Sequence, residues 1–229
     1  MKKRILFIIS SADSIGPNHR ATGYYLPEVT HPYYEFVENG YQIDFASVLG
    51  GQPPADGLDV ADEYNTKFLA SEAWERINTS QKIDDVDLNN YDAVFVPGGL
   101  GPMVDMPNNT AIQQAIADTY DRGAIVGAVC HGPVALLNVK LQDGSYLVAG
   151  KKLTAFSNSE EEGYAKADVP FLLESALVDR GAEFSSVADW QAYSIADGRL
   201  ITGQNPASAK GVAQKMMAVI EETFTHPVA

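Results

Sequence analysis

Cysteine occurs once in the 229 residues, at Cys130, and histidine four times, at His19, His31, His131 and His226. One thiol cannot close an internal disulfide, so nothing in the chain demands an oxidising compartment, and a cytoplasmic location is the expectation. The chain also lacks a cysteine pair, a His-x-x-x-His spacing and a phosphate-binding glycine motif, so no metal and no cofactor is expected. Basic charge is scarce: 16 Lys and Arg stand against 30 Asp and Glu, for a formal charge of -14. A field of that sign repels phosphate backbones and anionic headgroups, so neither nucleic acid nor a membrane surface is an expected partner. Long apolar runs are missing too. The opening MKKRILFIISSADS has the positive start of a secretory signal, but its apolar run is only Ile5 to Ile9 and no small-residue cleavage pattern follows. It reads as a first strand, and no stretch approaches the roughly eighteen residues that span a bilayer.

What is present is the composition of a globular protein, 45% hydrophobic and 20% charged. A chain of this length buries roughly 70% of its unfolded surface. No repeat, low-complexity segment or linker divides it, and one domain over residues 1–229 is expected. Apolar runs bounded by Gly and Asn, RILFIIS, QIDFASV, DAVFVPGG and AIVGAV, read as strands buried on both faces. Between them lie helical patterns, EVTHPYYEFVENG, ADEYNTKFLASEAWERI and NTAIQQAIADTYDRG. In the last, Ile112, Ala115, Ile116 and Thr119 share a face, Asn108 or Asn109 caps the start and Gly123 follows the end. This alternation predicts an α/β fold with a doubly wound, mostly parallel sheet, whose ligands sit at the carboxyl ends of the strands. Later, SYLVAGKKLTAF and QAYSIADGRLITG each read as two short strands around a turn, hairpins added to that sheet. PASAKGVAQKMMAVIEETF reads as a closing amphipathic helix with Pro206 in its first turn, and LGGQPPADGLD as a surface loop.

The chemistry gathers on AIVGAVCHGPVALLN. A strand stopping at Cys130 and turning into a helix through HGPVALL places the sulfur at a helix N-terminus, where a thiolate is stabilised. Gly127 and Gly132 flank it as a nucleophile elbow requires. The bland alternative is a buried apolar cysteine. A thiolate attacking a carbonyl makes an oxyanion, and VFVPGGLGP offers the amides of Gly98 and Gly99 beside that of His131. A proton carrier comes from His131 or a carboxylate. Glu28 lies in the aromatic-rich YYLPEVTHPYY, where desolvation keeps a carboxyl protonated near neutrality; a solvated glutamate in a first helical turn is the alternative. One of Glu160, Glu161 and Glu162 in FSNSEEEG is placed to orient His131, although charge runs are usually solvated.

With these motifs the chain resembles the DJ-1/PfpI superfamily, whose fold is flavodoxin-like and shared with class I glutamine amidotransferases, and within it the glyoxalase III and heat-inducible chaperone branch. The likeness runs through TGYYLPEVTHPYYEF, PGGLGPMVDMP, AVCHGPVALL, LTAFSNSEEE and YSIADGRLITGQNPASA. The amidotransferases use a late His-x-Glu pair; here the only late histidine is His226, in THPVA, which closes that route. The resemblance implies Cys130 as nucleophile, His131 as its partner, Glu28 as the acid beside the sulfur and Glu161 as the carboxylate on the histidine, with Glu160 as a substitute. It also implies a homodimer. One departure stands out: the branch usually carries histidine after the paired glycines, where this chain has Leu100, so part of the pocket's polar wall is missing. The expected function is a glutathione-independent glyoxalase converting methylglyoxal to lactate. A holdase chaperone, a cysteine redox sensor and a PfpI-like peptidase are the alternatives.

Overall fold

Strand β1 (Arg4–Ile9) is buried on both sides, Leu6 and Ile8 in one apolar layer and Ile5, Phe7 and Ile9 in the other. The same alternation runs through its neighbours in a computed structural model that describes residues 3–225. With β2 (Gln42–Ser47), β3 (Gln81–Lys82), β4 (Ala93–Val96), β5 (Ile125–Val129), β6 (Ser194–Asp197) and β7 (Leu200–Gly203), β1 forms a seven-stranded sheet in the order β6-β7-β5-β4-β1-β2-β3. Every pairing is parallel except β6 with β7 at the edge. Chain order runs outward from β1 to β3, then returns on the other side of β1 through β4 and β5. The doubly wound fold expected from the sequence is therefore present, with its topological switch at the carboxyl ends of β1 and β4.

Helices cover both faces. Helices α1 (Pro27–Glu38), α2 (Glu63–Leu69) and α3 (Glu72–Asn78) supply Val29, Phe36, Phe68 and Ile77 to one layer, joined there by Val212 and Met216 of the final helix (Ala209–Thr225). On the opposite face α4 (Pro102–Asp105) and α5 (Thr110–Asp121) contribute Met103, Ile112, Ala115 and Ile116. Each fully buried Ile, Phe or Leu contributes about 1.5–3 kcal/mol by leaving water, so this two-sided burial dominates the driving force. Helix α5 follows its pattern closely: Asn109 is the cap, its side chain accepting from the Ile112 amide, and Thr119 is buried with the expected face.

Three elements depart from the sequence reading. The helix expected across ADEYNTKFLASEAWERI is two helices, because Ser71 caps the second by accepting from the Ala73 amide, and the chain turns at Ala70. The hairpin expected across SYLVAGKKLTAF does not form: Tyr146 bridges back to Lys140, Leu147 to Gly150 is turn, and Lys152–Leu153 pairs in parallel with Glu183–Phe184 instead. The second hairpin does form, as β6 and β7 around Gly198. Pro206 opens a short 3₁₀ turn, Pro206–Ser208, immediately before the final helix. His226 lies outside the described residues.

Candidate functional site

Strand β5 ends by turning sharply at Cys130, which takes φ of 61°, a left-handed conformation that a side-chain-bearing residue adopts at a cost of about 1–3 kcal/mol. Two hydrogen bonds hold it there: the Cys130 amide donates to the Gly203 carbonyl at 2.9 Å, and its own carbonyl accepts from the Phe156 amide at 2.8 Å. The segment beyond is a 3₁₀ helix, Gly132–Leu136, rather than the α-helix expected, with Pro133 in its first turn. Gly132 is required by packing, since a Cβ there would lie 2.3 Å from the Val96 carbonyl oxygen at the end of β4. The sharp elbow expected between the flanking glycines is thus present as a strained turn locked between β4, β7 and residue 156.

Four residues expected from the sequence converge at this turn. His131 Nδ1 lies 3.4 Å from Cys130 Sγ, and His131 Nε2 lies 2.6 Å from Glu161 Oε2. All three side chains are buried. With Nε2 paired to Glu161, Nδ1 is the ring nitrogen left to face the thiol, so imidazole geometry fixes which nitrogen meets sulfur. Glu161 is the orienting carboxylate, and Glu160 is otherwise engaged. Its carboxylate accepts from the Ser157 amide at 3.0 Å, the Ser157 hydroxyl at 2.9 Å, the Trp190 amide at 2.8 Å and the Asn205 side-chain amide at 2.8 Å. The consecutive glutamates diverge because Ser157 closes a capping box with Glu160, fixing the register of the short helix α6 (Asn158–Glu162).

Glu28 enters from the opposite side. Pro27 begins α1, and the first turn directs Glu28 inward to complete burial. Its Oε2 accepts the Gly98 amide at 2.6 Å, while Oε1 has no nitrogen or oxygen partner; the neighbour the carboxyl does meet is the Cys130 thiol. Burial pushes the Glu28 carboxyl up to about 8, so it is protonated at neutral pH, as its aromatic-rich sequence setting suggests.

Two expectations are corrected here. The Gly98 amide is spent on Glu28 and is not free for an oxyanion. The amides that hydrogen-bond the sulfur are those of Gly99 and His131. Gly99 has φ of 91° and packs so tightly that a Cβ would lie 2.5 Å from the Gly23 carbonyl oxygen. The resting sulfur is also not the thiolate that a helix N-terminus would favour. Burial and the nearby Glu28 carboxyl drive the thiol pKa up, against the smaller pull of the two amides, and a five-residue 3₁₀ segment has little dipole to oppose them. The sulfur therefore rests as a thiol.

Leu100 is buried in the apolar layer shared with α5. Sequence reasoning missed the aromatic lining. Phe156 lies against the His131 ring, centroids 4.4 Å apart, and Tyr164 and Trp190 close an aromatic cluster beside it. The available signal was Trp190, one of two tryptophans, standing in the polar stretch SSVADWQAY. No cluster of metal-ligating side chains occurs among the described residues.

Comparison with known proteins agrees with this architecture. Residues 20–219 match the DJ-1/PfpI family. The chain is 30% identical over 236 residues to Glyoxalase 3 of Candida albicans, covering 96% of this chain and 99% of the relative. The crystal structure of Candida albicans glyoxalase III superposes with a TM-score of 0.85 at 28% identity, covering 95% of this chain and 97% of that one. The glutathione-independent glyoxalase HSP31 of Saccharomyces cerevisiae is 29% identical over 233 residues, covering 96% and 98% of the two chains. Rapid Encystment Protein 24 KDa of Francisella tularensis superposes with a TM-score of 0.90 at 40% identity, covering 95% and 99%. A match over residues 20–219, with relatives aligned along nearly their whole length, means that the chain belongs to the DJ-1/PfpI family.

Proposed function

We propose that this protein is a glutathione-independent glyoxalase that converts methylglyoxal and water to lactate, with Cys130 as nucleophile. The observation that carries the proposal is one buried line of side chains, Cys130 Sγ to His131 Nδ1 at 3.4 Å and His131 Nε2 to Glu161 at 2.6 Å, with protonated Glu28 beside the sulfur. The relatives named as glutathione-independent glyoxalases support the same reading.

In this reaction His131 Nδ1 takes the thiol proton as Sγ bonds to the aldehyde carbon, and Glu161 steadies the imidazolium. The Gly99 and His131 amides hold the oxyanion until His131 returns the proton to it as a hemithioacetal hydroxyl. His131 then removes the carbon-bound proton of the former aldehyde while Glu28 protonates the ketone oxygen, giving an enediol. Return of the His131 proton to the second carbon, with the first hydroxyl's proton passing back to Glu28, leaves a lactoyl thioester on Cys130. Water hydrolyses it to lactate and free thiol. One carbon is oxidised, its neighbour is reduced, and no external electron carrier enters.

Lactate formation from methylglyoxal, followed without glutathione or added metal, tests this. Turnover that is abolished in Cys130→Ala is expected. No lactate from the wild type, or unchanged turnover in the variant, refutes it.

A further inference from the structure

His131 is flanked by a cluster of rings. Phe156 covers the imidazole, and Tyr164 and Trp190 each meet Phe156 edge to face, with centroids 5.6 and 5.4 Å away. The two outer rings also meet each other edge to face at 5.9 Å. Trp190 keeps 50% of its surface in water and Tyr164 38%. Burial raises the Tyr164 phenol to about 12, and its ring lies 6.4 Å from the His131 imidazole, centroid to centroid.

Trp190 is held out by construction. It has φ of 64°, a conformation that is an outlier for so bulky a residue. Its amide donates to Glu160 Oε1, the carboxylate oxygen that also accepts from Asn205. A buried glutamate adjacent to the orienting Glu161 thus fixes the tryptophan in a strained, half-exposed position. Strain and an exposed large ring together mark a contact surface rather than core packing. One cation already lies against this wall: the Arg20 guanidinium sits 5.0 Å over the Tyr164 ring and is neutralised by Asp168 at 3.1 Å.

We propose that Tyr164 and Trp190 form an aryl subsite and that the preferred substrate is an α-oxoaldehyde carrying a flat, uncharged aromatic group, such as phenylglyoxal. The inference rests on the glyoxalase reading and adds the substituent to it. A methyl group spans too little surface to engage either ring, whereas an aromatic group gains offset or edge-to-face contact with both. The acidic field of the chain, -14 overall, disfavours an anionic substituent. The chemistry is unchanged: phenylglyoxal and water give mandelate, the aldehyde carbon being oxidised and the ketone carbon reduced through the same proton transfers.

The test compares kcat/KM for phenylglyoxal and methylglyoxal in the wild type, Trp190→Ala and Trp190→Phe. The wild type is expected to favour phenylglyoxal by about tenfold, the worth of one good ring contact. Trp190→Ala is expected to erase that preference, chiefly through KM for phenylglyoxal, and Trp190→Phe restores most of it. Equal losses on both substrates, or no aryl preference in the wild type, overturn the subsite. A changed sedimentation coefficient with an unchanged substrate ratio also overturns it, and assigns Trp190 to contact between copies. If neither aldehyde is turned over, the glyoxalase reading fails, and acetophenone decides the subsite separately: saturation-transfer NMR must show its ring bound to the wild type and not to Trp190→Ala. Absence of that saturation transfer overturns the subsite even in a protein with no activity.

Discussion

Glu28 and Glu161 are both buried carboxyls at one sulfur, yet their surroundings give them opposite work. Glu161 faces an imidazole nitrogen at 2.6 Å, a pairing that holds the ring in place. Glu28 has one backbone donor and otherwise meets a thiol, so burial keeps its proton. Replacing Glu161 by Gln keeps the shape and removes the charge that steadies the imidazolium. Activity is expected to fall about 10²- to 10⁴-fold with little change in melting temperature, measured by lactate formation and calorimetry. Glu160→Ala should do the reverse in kind: it strands the Ser157, Trp190 and Asn205 donors, so a stability loss on the order of 2–4 kcal/mol accompanies any loss of rate. At this scale local setting singles out Cys130, His131 and Glu28, whereas the run Glu160 to Glu162 left its member open and only the family resemblance pointed to Glu161. The sequence did not carry which of two adjacent glycine amides faces the sulfur, nor the ionisation state of the thiol. Both depend on burial and on partners far away in the chain, such as the pairing of Gly98 with a residue seventy positions earlier.

The elements matter through the elbow. Cys130 holds a left-handed backbone because its amide and carbonyl are claimed by Gly203 and Phe156, and this strain points the sulfur toward Glu28 and His131. Cys130→Gly relieves the Cβ clash that Cys130→Ala retains. The glycine variant is therefore expected to be the more stable of the two by about 1 kcal/mol in urea unfolding, both being inactive. Equal stabilities would mean that the turn is unstrained. Element type was legible where burial on both sides writes itself as a continuous apolar run, as in β1, β4 and β5. It failed where a single cap or a distant strand decides. Ser71 divides one periodic stretch into two helices, and Lys152–Leu153 leaves its local partner for Glu183–Phe184. Neither competition is visible in periodicity, because both outcomes bury the same residues.

Across the whole molecule, the strand order puts the carboxyl ends of β4 and β5 side by side next to β1, so loops far apart in the chain meet at one point. That much followed from the alternation of strands and helices. Placing a protonated carboxyl there ties the stability of the fold to pH. The Glu28 pKa rises from 4.5 to about 8 on folding, so its contribution is complete below pH 4.5 and is lost as pH climbs through 8. Between pH 5 and 8 the wild type is expected to lose stability relative to Glu28→Gln by on the order of 3–4 kcal/mol. Asp105, also raised to about 6 by burial, titrates in both proteins and cancels in that difference.

The enediol step of the proposed chemistry draws on a neutral Glu28 next to the thiol. Infrared difference spectra between wild type and Glu28→Gln, taken from pH 5 to 10, read that proton directly. The carbonyl stretch of an un-ionised carboxyl should be present at pH 7 and disappear around pH 8; carboxylate bands alone at pH 7 would contradict the account.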